Sequence, residues 1–219
     1  MAPKIAAALA GVQLLFLITS LGLLAYIISK FTEATKFINN FNPQSAIAAL
    51  SQGKLPEIPE TFEVFGGYEK LGVTPAQLAS GNLSALLPLL GRLNGVLKMF
   101  KDMLTVLTAL GSVTLAYNVL CIFTAAWVLF AALKNSGARS AVICYWINHF
   151  LFFVFGIAFI AYTGVKSEKG TSIFYAFVAM WVLAVVAGFG VIATSLGMLR
   201  GSSSAPHSSV EMREKEGSV

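Results

Sequence analysis

Four stretches of this chain carry no charge for longer than a soluble fold needs. They run from Ile5 to Ile28, Leu104 to Leu133, Ala141 to Val165 and Ile173 to Leu199. Lys4 and Lys30, Asp102 and Lys134, Arg139 and Lys166, and Lys169 and Arg200 stand at their ends. A helix crosses ~30 Å of hydrocarbon in about 20 residues, and each run is longer than that. Only 11% of the chain is charged and 57% is hydrophobic. An ordinary soluble domain is about 25% charged, so this chain lacks the polar surface to cover a globule in water. The expected fold is all-α: an integral membrane four-helix bundle in up-down order, with spans at 1–29, 104–133, 141–165 and 173–199.

A cleaved signal peptide is the competing reading of the first run. Its apolar stretch outlasts the ~7–15 residues of a signal core, and no small-residue cleavage site follows at a suitable distance. An uncleaved span fits better. Tyr26, Tyr145, Trp146, Tyr162 and Tyr175 fall near expected helix ends, where amphipathic rings favour the headgroup level. Trp127 and Trp181 are deeper and read as packing residues.

Four spans place both termini on one side. Lys4, Lys134, Arg139, Arg200, Arg213 and Lys215 share that side, against Lys166 and Lys169 in the opposite short turn. This favours cytosolic termini in a multi-pass protein of the plasma membrane or an endomembrane. The long loop, however, adds Lys30, Lys36, Arg92, Lys98 and Lys101 to the other side. Asn82 opens the one N-x-S/T sequon, "NLS", and is a candidate glycosylation site that would put the loop outside.

That loop, 30–103, is about 75 residues long, too long for a bare connector. Phe31, Ala34, Ile38 and Phe41 continue a helical stripe beyond the first span. Leu86, Leu90, Leu93, Leu97, Phe100 and Leu104 form another, so a helix from Ser84 to Leu133 would reach ~75 Å. Pro88 is expected in its first turn. Asn42-Pro43 and Thr74-Pro75 read as starts of short helices. The loop is therefore expected to be a mostly helical extramembrane domain. A helix lying on the leaflet and a partner-binding face are the alternatives. The tail 200–219 is polar and expected to be disordered, and Ser202, Ser203 and Ser204 are candidate phosphoacceptors beside Arg200.

No Asp, Glu, Lys or Arg lies inside the four runs. Proton relays, voltage sensors and most ion-coupled carriers place ionisable groups at depth, so those classes lose support. The polar candidates are Gln13, Asn118, Asn148 and His149. By residue count, Gln13 and His149 sit at similar depth. Asn148 and His149 point about 100° apart on a helix, so one of the pair is expected to meet Gln13. The expected role is interhelical hydrogen bonding, with pore lining as the alternative. A metal site is disfavoured because no second ligand stands near.

Small residues four apart (Ala7 and Gly11, Ala184 and Gly188, Gly190 and Thr194, Ala193 and Gly197) suggest close packing, within the bundle rather than between copies. Cys121 and Cys144 lie in apolar runs and read as small hydrophobes. No HExxH, GxSxG or phosphate-loop motif occurs, and no basic block suits nucleic acid. No enzyme, cofactor or nucleic-acid partner is expected. The partners expected are the bilayer and other membrane proteins or further copies of the chain.

The layout resembles four-span proteins with cytosolic termini and a large first outer loop, such as the claudins, in topology. The claudin loop's tryptophan and paired cysteines are absent, so no residue role is carried over. The leading expectation is a non-enzymatic membrane organiser or scaffold acting through its loop. The rival is a subunit of an oligomeric channel or transporter.

Overall fold

A computed structural model describes residues 2–42, 45, 48, 83–134, 138–166 and 171–201. Of the expected short helix after Pro43 only Ser45 and Ala48, both helical, are among them; the one after Pro75, Asn82, Ser202 to Ser204 and the rest of the tail lie outside. The described residues form four helices and no strand: α1 (Ala2–Asn40), α2 (Leu83–Lys134), α3 (Ala138–Lys166) and α4 (Ser172–Gly201). Each contains a stretch long and apolar enough to cross a membrane.

The helices are long because nothing interrupts them. α1 spans 39 residues, ~59 Å at ~1.5 Å per residue. It ends before Asn42-Pro43, where the proline ring disfavours helical backbone at the preceding residue. α2 is continuous over 52 residues, beginning at Leu83, and reaches ~78 Å. Because it starts this early, Pro88 falls in the second turn of α2, not the first. α4 opens with a side-chain cap: the Phe174 amide donates to Thr171 Oγ1 at 3.2 Å, satisfying an otherwise open N-terminal donor.

Contacts between neighbours set the arrangement. Asn118 meets Ser20, and a side chain at Gly111 would meet Ile28, so α2 runs antiparallel to α1. Thr114 reaches the Phe155 carbonyl, while Gly111 faces Phe159. Trp146 bonds Ser195 and Phe159 packs on Phe177. Gly188 abuts Gln13 and Gly190 faces Leu9, which closes the ring between α4 and α1. The order around the bundle is α1–α2–α3–α4, with α1/α3 and α2/α4 on the diagonals.

Burial follows one rule in all four helices. In α1 the inward positions are Ala10, Gln13, Leu17, Ser20, Leu24, Ile27, Phe31 and Ala34, spaced alternately by three and four. Positions 100, 104, 107, 111, 114, 118, 121, 125 and 128 of α2 repeat the pattern, as do 142 to 163 in α3 and 177 to 195 in α4. This heptad spacing winds helices into a left-handed supercoil. The seam does not stop at the charged ends. Phe31 and Ala34 of α1, and Phe100 of α2, are buried beyond Lys30 and Asp102 respectively. The outermost parts of α1 and α2 thus prolong the bundle as a packed stalk.

Hydroxyl groups in the spans are largely satisfied by their own helix. Thr19, Thr114, Thr124, Thr163 and Thr194 each donate to the carbonyl four residues back. Such back-bonding hides a hydroxyl where no water is at hand.

Two aromatic placements differ from expectation. Tyr145 does not face outward but is fully buried in the core, where its hydroxyl has an acceptor. Trp127 is not a packing residue: it is 48% exposed on the outward face of α2, whereas Trp181 is buried. Of the small-residue pairs, Ala184 and Gly188 face the core, but Gly11 has nothing near it and Ala193 is exposed.

Candidate functional site

The polar side chains of the bundle meet in two adjacent layers. The first is built on Gln13, which projects from α1 across the diagonal to α3. The Tyr145 hydroxyl donates to Gln13 Oε1 at 2.6 Å, and Gln13 Nε2 lies 3.5 Å from His149 Nδ1. The first distance is that of a strong hydrogen bond and the second that of a long one. Tyr145 and His149, four apart on α3, present their rings in parallel with centroids 5.6 Å apart.

The network assigns the atoms. An amide nitrogen only donates, so with the Tyr145 proton on Oε1, Gln13 Nε2 must give its own to Nδ1. The ring proton of His149 then sits on Nε2. That nitrogen is buried and makes no hydrogen bond of good geometry, although the Val185 backbone lies nearby.

Gly188 makes this layer sterically feasible. A β-carbon there would fall within 3.0 Å of His149 Cε1 and Nε2 and of Gln13 Nε2. The glycine leaves the space that the imidazole and the amide occupy. Phe189, beside it in sequence, packs edge-on against the His149 ring at 5.2 Å.

The second layer lies one heptad along. Asn118 Nδ2 donates to Ser20 Oγ at 2.8 Å, joining α2 to α1. Trp181 stacks on Phe153, centroids 6.0 Å apart, with its indole edge over Gly156, where a β-carbon would collide with Nε1. Asn118 Oδ1 and Trp181 Nε1 are both buried without partners. Nearer the termini, Trp146 Nε1 donates to Ser195 Oγ at 3.3 Å and ties α3 to α4.

Of the four polar residues singled out in the sequence, the structure brings Gln13 and His149 together and seats Asn118 in the neighbouring layer. Asn148 is half-buried and stands outside both. Tyr145, Ser20, Ser195, Trp181 and Gly188 are components that sequence reasoning missed. A signal existed for two of them: Tyr145 shares a helical face with His149, and Gly188 was visible as one of a small-residue pair.

No known protein family, curated protein or solved structure matches the chain. Hydrogen bonds between uncharged groups dominate the site, and among the described residues no three His, Cys, Asp or Glu side chains gather as a metal site would require. Cys121 is buried and Cys144 exposed, and both are free thiols. The arrangement fastens helices, and it presents three polar atoms to the bundle interior.

Proposed function

We propose that the chain is a non-enzymatic, four-span membrane organiser that holds an extramembrane helical stalk rigidly for contact with other membrane proteins. The observation that carries this reading is the unbroken inward seam of α1 and α2, which passes from the spans into the stalk without a hinge. Polar side chains inside the bundle bond across helices, and interhelical bonds of this kind in membranes contribute about 0.6 kcal/mol on average. They set register and rigidity more than total stability.

The termini face the cytosol in this reading. Lys4, Lys134, Arg139 and Arg200 stand near the four helix ends on that side, and the described part of that end holds no acidic residue. Positive charge on short cytoplasmic segments is the usual orientation signal. The stalk and the segment that follows it, expected to be mostly helical, then project to the outside or the lumen. Partner contact is made there.

Site-specific photo-crosslinking from Met99, an exposed stalk position, tests the proposal in native membranes. A discrete adduct is expected, and it should weaken when the stalk seam is broken by Phe31→Asp with Phe100→Asp. Only monomeric, adduct-free protein at every exposed stalk position would refute it.

The second reading, a subunit of an oligomeric channel or transporter, is favoured by the buried polar atoms Asn118 Oδ1 and Trp181 Nε1, which make no hydrogen bond to another described residue. It requires a conductance or solute flux from purified protein in liposomes that Asn118→Leu or His149→Ala abolishes. The organiser reading requires none.

A further inference from the structure

Every helix carries a cation in its terminal turn at one end of the bundle. Lys4 of α1 and Lys134 of α2 each stand sixteen residues beyond the Ser20–Asn118 bond, so the antiparallel pair brings them level. Arg139 precedes Trp146 by seven residues on α3, and Arg200 follows Ser195 by five on α4; the Trp146–Ser195 bond puts those two positions in the same outer layer. The described residues hold two carboxylates, Glu33 and Asp102, and both belong to the stalk end. No described side chain neutralises this layer.

A comparable cation at the stalk end is neutralised. Lys30 lies over the Tyr26 ring, 5.6 Å from its centre, and its ammonium donates to Glu33 at 2.9 Å. Lys134 has the aromatic ring without the acid: its Nζ lies 4.3 Å from the centre of the Phe130 ring. A lysine at the end of a span ordinarily snorkels outward into water. This one folds back over the outward face of α2, held by the ring beneath it, with its charge intact. It heads a stripe of exposed aromatic side chains, Phe123, Trp127 and Phe130, spaced by four and three.

A phospholipid of net negative charge matches both halves of this surface. Its phosphate suits Lys134 and Arg139, which flank the tight α2–α3 turn, and its chains suit the aromatic stripe below. Trp127 is one heptad from Lys134, ~10 Å deeper, at the level of acyl chains rather than headgroups. We propose that the α2–α3 corner selects an anionic phospholipid, with its phosphate at Lys134 and Arg139 and its chains along Phe130 and Trp127. Each such cation near a membrane surface favours anionic lipid by about fivefold. The site requires that the helices span the bilayer, and it stands whether the chain organises partners or conducts solute.

Trp127 reports on its own site. The full chain is reconstituted in vesicles of phosphatidylcholine and phosphatidylserine, with bromine on the acyl chains of one lipid or the other. The Trp127 signal is the difference in emission between the wild type and Trp127→Phe. Brominated phosphatidylserine is expected to quench it more strongly, mole for mole, by at least about fivefold. Lys134→Gln with Arg139→Gln should level the two lipids, and Lys134→Arg should keep the preference. Lys98→Gln with Lys101→Gln, on the stalk, should also leave it intact. All four of these lysine and arginine side chains are exposed, so the fold does not depend on them. Equal quenching by the two lipids in the wild type, or a preference that survives the loss of Lys134 and Arg139, overturns the proposal. Emission untouched by either lipid also overturns it, because a second copy would then cover the Trp127 face. So does displacement by soluble glycerophosphoserine, which would mean a headgroup pocket without chain contacts.

Discussion

Adding a single methyl group at Gly188 should do more damage than removing most side chains in this protein. In Gly188→Ala the new carbon would sit within 3.0 Å of two His149 ring atoms and of Gln13 Nε2. The obstacle is not the loose end of a flexible chain: the imidazole is held between Tyr145 and Phe189. Either α4 backs away or the ring turns out of the layer. Overpacking of a well-filled core costs about 1–3 kcal/mol. Losing the Gln13–His149 contact adds about 0.6–1.7 kcal/mol at the values seen for interhelical bonds in membranes. The sum, about 2–5 kcal/mol, is a shift of more than tenfold in the unfolding equilibrium. Reversible unfolding in mixed micelles of detergent and denaturing surfactant measures it. Gly11→Ala is the internal control, because nothing lies within 4 Å of that position. It should be neutral or slightly stabilising, since alanine is the better helix former. Pairing Gly188→Ala with His149→Ala should recover part of the loss by clearing the space. If Gly188→Ala behaves like Gly11→Ala, the packing of α4 on the Gln13 layer is wrong.

Gln13→Leu should lower stability by about 1–3 kcal/mol, because it strands the Tyr145 hydroxyl and His149 Nδ1; adding Tyr145→Phe should return part of it in the same unfolding assay. Ser20→Ala and Asn118→Leu should couple by about 0.6–1.7 kcal/mol in a double-mutant cycle, since they share one interhelical bond. Phe100→Ala should loosen the stalk, with faster amide exchange in 31–40 and 97–103 and unchanged protection in the centre of α3. A membrane-permeant maleimide should label Cys144, which is exposed, well before Cys121, which is buried; equal rates would contradict the inward placement of Cys121.

The spans were legible because transfer into hydrocarbon penalises charge, and charged residues bracket each apolar run. The long second helix was legible for a similar reason: leucines at helical spacing lead into the span without a break. Which face of each span turns inward was not legible from hydropathy. When one face meets lipid and the other meets helices, both are apolar, so Leu24 in the core and Leu15 on the outside look alike. The residues that betray the inner face are those lipid excludes, such as Gln13, Asn118 and His149. The heptad seam emerges only once such a residue is used as its origin on each helix. Tyr145 went astray because tyrosine has two low-cost positions in a membrane, the interface and a core site with an acceptor. Its acceptor belongs to another helix, and no local pattern announces it. Gly188 was visible as a small residue, but its purpose depends on the imidazole opposite.

Between Leu97 and Lys134 the second helix holds no proline and one glycine, Gly111, whose position is closely packed by Ile28 and Phe159. A load applied above the lipid surface therefore meets no compliant joint on its way to the far leaflet. In the organiser reading proposed above, rod length sets how high above the headgroups a partner is met. Inserting or deleting a whole heptad there would raise or lower that height by ~10 Å while keeping the same compass bearing. Changing it by one or two residues would instead swing the contact surface around the axis.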